Sequence, residues 1–147
     1  MNFFFTSQHI ESIFGINRKI LFYWKKISLI TPSELTNGGH ARYTFSDLVA
    51  IKTVKTLQDL GISTNQIKKA VKALREEFPN IHNVLSEKSL YVVGKEIIVA
   101  DSAAGFNPVS KQCTFISNND MKAWVTDITV KQFSIPIKQE SRKTGTG

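Results

Sequence analysis

A single cysteine, Cys113, excludes an intramolecular disulfide framework. Neither it nor the three histidines, His9, His40 and His82, fall at metal-ligand spacing, so no metal site is expected and each histidine reads as a surface residue. No apolar run reaches the roughly 18 residues that a membrane helix needs, and no membrane partner is expected. The opening Met1-Asn2-Phe3-Phe4-Phe5 lacks a basic segment and turns polar at Thr6, which is too short for a signal peptide. A cytoplasmic location is the expectation. Paired carboxylates in a motif, a Gly-rich phosphate loop and a Ser/His/Asp spacing are all missing, so neither catalysis nor a cofactor is expected.

What is present is enough apolar sequence for a packed core, 41% of 147 residues, under a basic excess. Residues 1–88 carry 12 basic and 7 acidic side chains, and the rest carry 7 and 5. The excess therefore lies mainly in the first part, and it favours an anionic partner.

Thr6 is an N-cap candidate, and Ile10, Ile13 and Phe14 recur at helical spacing behind it. Gly15 suits a left-handed helix end. Asn17 can cap a second helix from Arg18 to about Lys26, with Leu21 and Trp24 facing inward. Two short helices joined by a glycine turn form a helix-turn-helix pattern, whose second helix enters the major groove by its N-terminal residues. Arg18 and Lys19 stand at that end; Phe22 and Tyr23 follow one turn on, and at least one of the two is expected to be exposed. Asn37-Gly38-Gly39 between Leu29-Ile30 and Ala41-Arg42-Tyr43 reads as a small hairpin, from which His40 and Arg42 project.

Thr44-Phe45-Ser46-Asp47 and Ser63-Thr64-Asn65-Gln66 have capping-box form. They open helices marked by Leu48, Ile51, Val54, Leu57 and Leu60, and by Ile67, Ala70, Val71, Leu74 and Phe78. Lys68, Lys69, Lys72 and Arg75 lie off the second stripe and read as a solvated helix face.

This order resembles the MerR-type winged helix-turn-helix over residues 4–78. The residues that carry the resemblance are Thr6, Gly15-Ile16, Leu21, Tyr23, Leu29, Tyr43, Asp47-Leu48, Leu60-Gly61-Ile62-Ser63 and Ile67. The chain departs from the family in three places: Phe22 stands at a usual Arg, Trp24 at a usual Tyr, and Ala41 at the usual wing Arg, with Arg42 beside it. The resemblance implies a sequence-specific transcriptional regulator, with double-stranded DNA, a second copy of the chain and RNA polymerase as partners, associated with the nucleoid. It places Asn17, Arg18, Lys19, Phe22, Tyr23, Lys25, Lys26, His40, Arg42 and Tyr43 at the DNA, with Arg42 and Tyr43 on the flanking backbone. The rival expectation is a non-catalytic protein-interaction or DNA-architectural module of excisionase-like type.

After Phe78 the long dimerising helix of many family members is missing. Leu90 to Val93 and Ile97 to Val99 flank Gly94-Lys95 as a hairpin, and Gln112 to Ile116 offers a third strand holding Cys113 as a small buried apolar residue. Asn118-Asn119-Asp120 offers the cap of a short helix with Ala123, Trp124 and Ile128, and Val130 to Ile137 reads as extended. This hairpin appendage is similar to that of a MerR-like branch without the long helix. The expectation is an α+β chain: a winged helix-turn-helix domain over 1–80 with two further helices, a small antiparallel β module over 88–137, and a flexible tail over 138–147. The β module either joins two copies or packs onto the fourth helix of its own chain, and a chain ending at Asn80 is expected to stay folded.

Overall fold

The computed structural model describes residues 4–102 and 112–133. The elements run α1 (Ser7–Phe14), α2 (Arg18–Lys26), β1 (Glu34–Leu35), β2 (Ala41–Arg42), α3 (Phe45–Asp59), α4 (Thr64–Glu77), a 3-10 turn (Val84–Ser86), β3 (Leu90–Val93), β4 (Glu96–Val99), a second 3-10 turn (Ala100–Ser102), β5 (Thr114–Ile116) and α5 (Asn118–Phe133). The fold is α+β. Thr6, Thr44 and Ser63 open α1, α3 and α4 through reciprocal capping boxes, and the Asn17 side chain accepts from the Ile20 N–H at the start of α2. Gly15 takes the left-handed φ of 69° between α1 and α2, a conformation that glycine adopts without a Cβ penalty.

The wing differs in register from the sequence expectation. Its strands are Glu34–Leu35 and Ala41–Arg42, paired antiparallel, not Leu29-Ile30 with Ala41-Arg42-Tyr43. Leu29 and Ile30 are buried, and both backbone N–H groups donate to Trp24 O at the end of α2. Two adjacent apolar residues gain more from the core than from a solvated hairpin. Tyr43 leaves the wing as well, pairing with Phe5 through backbone bonds of 2.7 and 2.8 Å.

The second sheet has the order β4-β3-β5, antiparallel throughout, so the third strand joins β3. The expected extended stretch from Val130 is helical as far as Phe133, because α5 is longer than the short helix foreseen. Val125 and Thr129 are buried, and the Thr129 hydroxyl donates back to Val125 O. Burial of these β-branched residues overrides their modest helix propensity. Residues 134–147, including the expected tail, lie outside the described residues.

α3 is the centre of the molecule. Asp47, Leu48, Val49, Ala50, Ile51, Thr53, Val54 and Leu57 are all buried, so it has no free face along most of its length. It packs chiefly against the Val84–Ser86 turn and α5, and also against α4. α5 also reaches α1: Trp124 stacks on Phe14 at 5.5 Å, Lys52 Nζ lies 4.1 Å over the Trp124 ring, and Ser12 Oγ donates to Gln132 Oε1. Leu90, Val92, Val99, Ile116 and Val125 belong to the same buried cluster as Ile10, Leu21 and Ile51.

Candidate nucleic-acid interface

The face of α2 turned away from the core carries Arg18, Lys19, Ile20, Phe22, Tyr23 and Lys26, all exposed, while Leu21 and Trp24 anchor the helix. The sequence left open which of Phe22 and Tyr23 is outward. Both are, at 65% and 51% exposure. Arg18 is held from behind: Glu11 Oε2 accepts from its backbone N–H at 2.9 Å, and Glu11 Oε1 is 3.6 Å from its Nε. With the Arg18 side chain 62% exposed, that ion pair orients the guanidinium more than it stabilises the fold.

Between α2 and the wing lies an open groove of about 520 Å³. Arg18, Phe22 and Lys25 line it from α2, His40 from the wing, and Thr6, Ser7 and Gln8 from the start of α1. Of the last three only Thr6 was legible, as a helix cap, since no periodicity indicates that the start of α1 faces the wing. His40 and Arg42 are exposed as expected, and the Arg42 guanidinium lies 5.6 Å from the Phe4 ring centroid. On the other flank of α2, Ile20 and Tyr23 border a smaller pocket of about 230 Å³ with Lys55, Gln58 and Thr64. Further along that flank, Arg75 Nη2 donates to Ser28 O at 2.6 Å, next to the left-handed φ of 61° at Ser28.

Tyr43, expected on the DNA backbone, is a core residue with 2% exposure. Burial raises its phenol above the usual tyrosine range, a Ser7 side-chain hydrogen bond lowers it, and the Asp47 charge raises it. Its position fixes the exit of the wing.

Asp47, foreseen only as a cap, is the polar centre beneath the wing. It is fully buried, and its carboxylate accepts from Ser33 N–H, Ser33 Oγ, Thr44 N–H and Asn83 Nδ2 at 2.6–3.0 Å. His82 Nε2 lies 3.9 Å from it and 3.1 Å from Thr31 O. Both ends of the wing and the segment after α4 thus converge on one carboxylate, whose burial is tolerated because its oxygens are hydrogen-bonded. Among the described residues there is no group of three or more metal-ligating side chains, and no helix is long and apolar enough to cross a membrane.

Residues 5–74 match the family described as MerR HTH family regulatory protein. The N-terminal half of this chain is a MerR-family helix-turn-helix domain. Similar proteins carry the domain in several settings. An uncharacterized HTH-type transcriptional regulator of Mycobacterium bovis is 40% identical over 67 residues, covering 44% of this chain and 30% of the relative. Heavy metal-dependent transcription regulator 1 of Rhizobium meliloti is 31% identical over 77 residues, 52% of each chain. The Multidrug-efflux transporter 2 regulator of Bacillus subtilis is 22% identical over 89 residues, 60% of this chain and 32% of the relative. The chain thus spans between 30% and 52% of the length of these relatives. The MerR-family domain ends within α4, and the Val84–Ser86 turn, the three-stranded sheet and α5 share its buried core.

Proposed function

We propose that this chain is a sequence-specific, non-catalytic DNA-binding transcription regulator. In this reading α2 lies in the major groove and the wing lies on the flanking backbone. The observation that carries it is the outward face of α2, where Arg18, Lys19 and Lys26 surround exposed Phe22 and Tyr23. A solvated helix has no need of two exposed aromatic rings among cations, whereas a duplex offers a groove with apolar as well as polar groups to the rings and phosphates to the cations. Arg18 and Lys19 supply donors to base acceptors, with Asn17 holding the helix start beside them. Tyr23, Lys25 and Lys26 take phosphates, and His40 and Arg42 of the wing take the adjacent backbone. Tyr43 acts from the core, by setting the wing. The partners in this reading are double-stranded DNA, a second copy of the chain and, for transcription, RNA polymerase. The setting is the cytoplasmic nucleoid.

The second copy is supported by half-site geometry, because one short recognition helix covers few base pairs and symmetric sites gain affinity from two. The three-stranded sheet, with Phe115 exposed on its edge strand β5, is the surface proposed to join them.

Mobility shifts on random and pool-selected duplexes test the regulator. A selected consensus bound far more tightly than random DNA is expected. Uniform, steeply salt-dependent binding points instead to an architectural module, and absence of binding at low salt to a protein partner. Sedimentation at micromolar concentration tests the dimer, and a monomer both free and on DNA contradicts it.

A further inference from the structure

Phe22 is the most exposed large apolar side chain among those described, at 65%. It stands four residues after Arg18 and three before Lys25, which puts the three on one stripe of α2. All three line the groove that His40 closes from the wing side. An apolar ring at this position is a poor partner for phosphate, sugar hydroxyls or the polar base edges. The apolar group that a duplex displays in its major groove is the 5-methyl of a pyrimidine. Tyr23, on the other flank of the exposed face, has a hydroxyl to hydrogen-bond; Phe22 has only its ring.

We propose that Phe22 packs against a pyrimidine 5-methyl group in the major groove, which makes affinity depend on that methyl. The contact rests on the placement of α2 proposed above. Four residues of helix rise about 6 Å. Base pairs repeat every 3.4 Å or so, and the methyl lies about two base pairs from the base that Arg18 reads. Arg18, tethered by Glu11, sets the register, and Phe22 adds discrimination at a position where a donor or acceptor is not needed.

The methyl can belong to thymine or to 5-methylcytosine, and the test separates these sources. A site is selected from a random duplex pool with the wild-type chain. Each thymine is then replaced in turn by deoxyuridine, which removes only the methyl. Cytosine and 5-methylcytosine, each opposite guanine, are compared at the same positions. The expected result is one position at which uracil weakens binding about four-fold, the value of burying one carbon unit. At that position 5-methylcytosine exceeds cytosine by a similar factor. In Phe22→Ala, with its fold checked by thermal unfolding, both ratios fall to one, whereas Phe22→Leu keeps part of them. Wild-type binding indifferent to every pyrimidine methyl overturns the contact and leaves DNA reading intact. Methyl dependence that persists in Phe22→Ala assigns it to another side chain and also overturns the contact. Failure to select any site removes DNA reading and the contact together.

Discussion

On one side of the MerR-family domain, α2 and the wing leave Phe22, Tyr23 and Leu35 at least half exposed among cationic side chains. On the other, α3 is buried along its length by residues that follow the domain, from Val84 and Leu85 to Val125. The first side has the chemistry of an interface still to be made, and the second of an interface already made within the chain. The difference separates two roles for apolar residues. Phe22 is displayed at a cost in solvation, which suits recognition; Leu57 and Val125 are fully enclosed, which suits stability.

The largest expected effect comes from removing the closed side. A chain ending at Asn80, which the sequence alone suggests to be an independent domain, loses the cover of α3. It is expected to lose its cooperative thermal transition, as followed by circular dichroism. A sharp transition near that of the full chain breaks the contrast, because α3 then needs no cover. Next in size is Asn83→Ala, which deprives buried Asp47 of its 2.6 Å donor. A loss of about 1–3 kcal/mol in urea unfolding is expected, with specific DNA affinity reduced because Ser33 and Thr44 of the wing share that carboxylate.

On the open side the effects change in kind. Arg18→Ala is expected to leave stability within about 0.5 kcal/mol. It weakens binding to the selected site by about 1–3 kcal/mol and relaxes one base position. Equal loss on all sequences would move Arg18 from base to backbone. Arg42→Ala is the smallest. It weakens all DNA alike and lowers the slope of log affinity against log salt by about one unit. An unchanged slope puts Arg42 away from phosphate, held instead over Phe4.

How much of this was legible follows the same division. The caps at Asn17, Thr44 and Ser63, the turn at Gly15 and the inward Leu21 and Trp24 could all be read from the sequence, because each is decided by residues within one or two turns. The Thr6 capping box was half legible: His9 takes the reciprocal role usually given to Glu or Gln. Contacts set at long range were not legible. Tyr43 follows an exposed wing residue and gives no local sign of being buried against α1 and Phe5. Asp47 reads as a cap, and nothing near it announces Ser33 and Asn83. α5 has polar and apolar residues mixed around its circumference, so its pattern shows no single buried stripe, and Val130 argued for a strand. The Leu29-Ile30 pair looked like a wing strand for the same reason, since periodicity alone does not tell an apolar strand from a buried loop.

The central claim, that the open α2 face meets DNA while the closed α3 face holds the molecule together, is tested most directly by amide hydrogen exchange with and without the selected duplex. Added protection is expected in residues 17–26 and in the wing, 34–42, with no change in α3 or in 118–133. Protection confined to 118–133 or to the three-stranded sheet, with α2 exchanging as in the free chain, would contradict it.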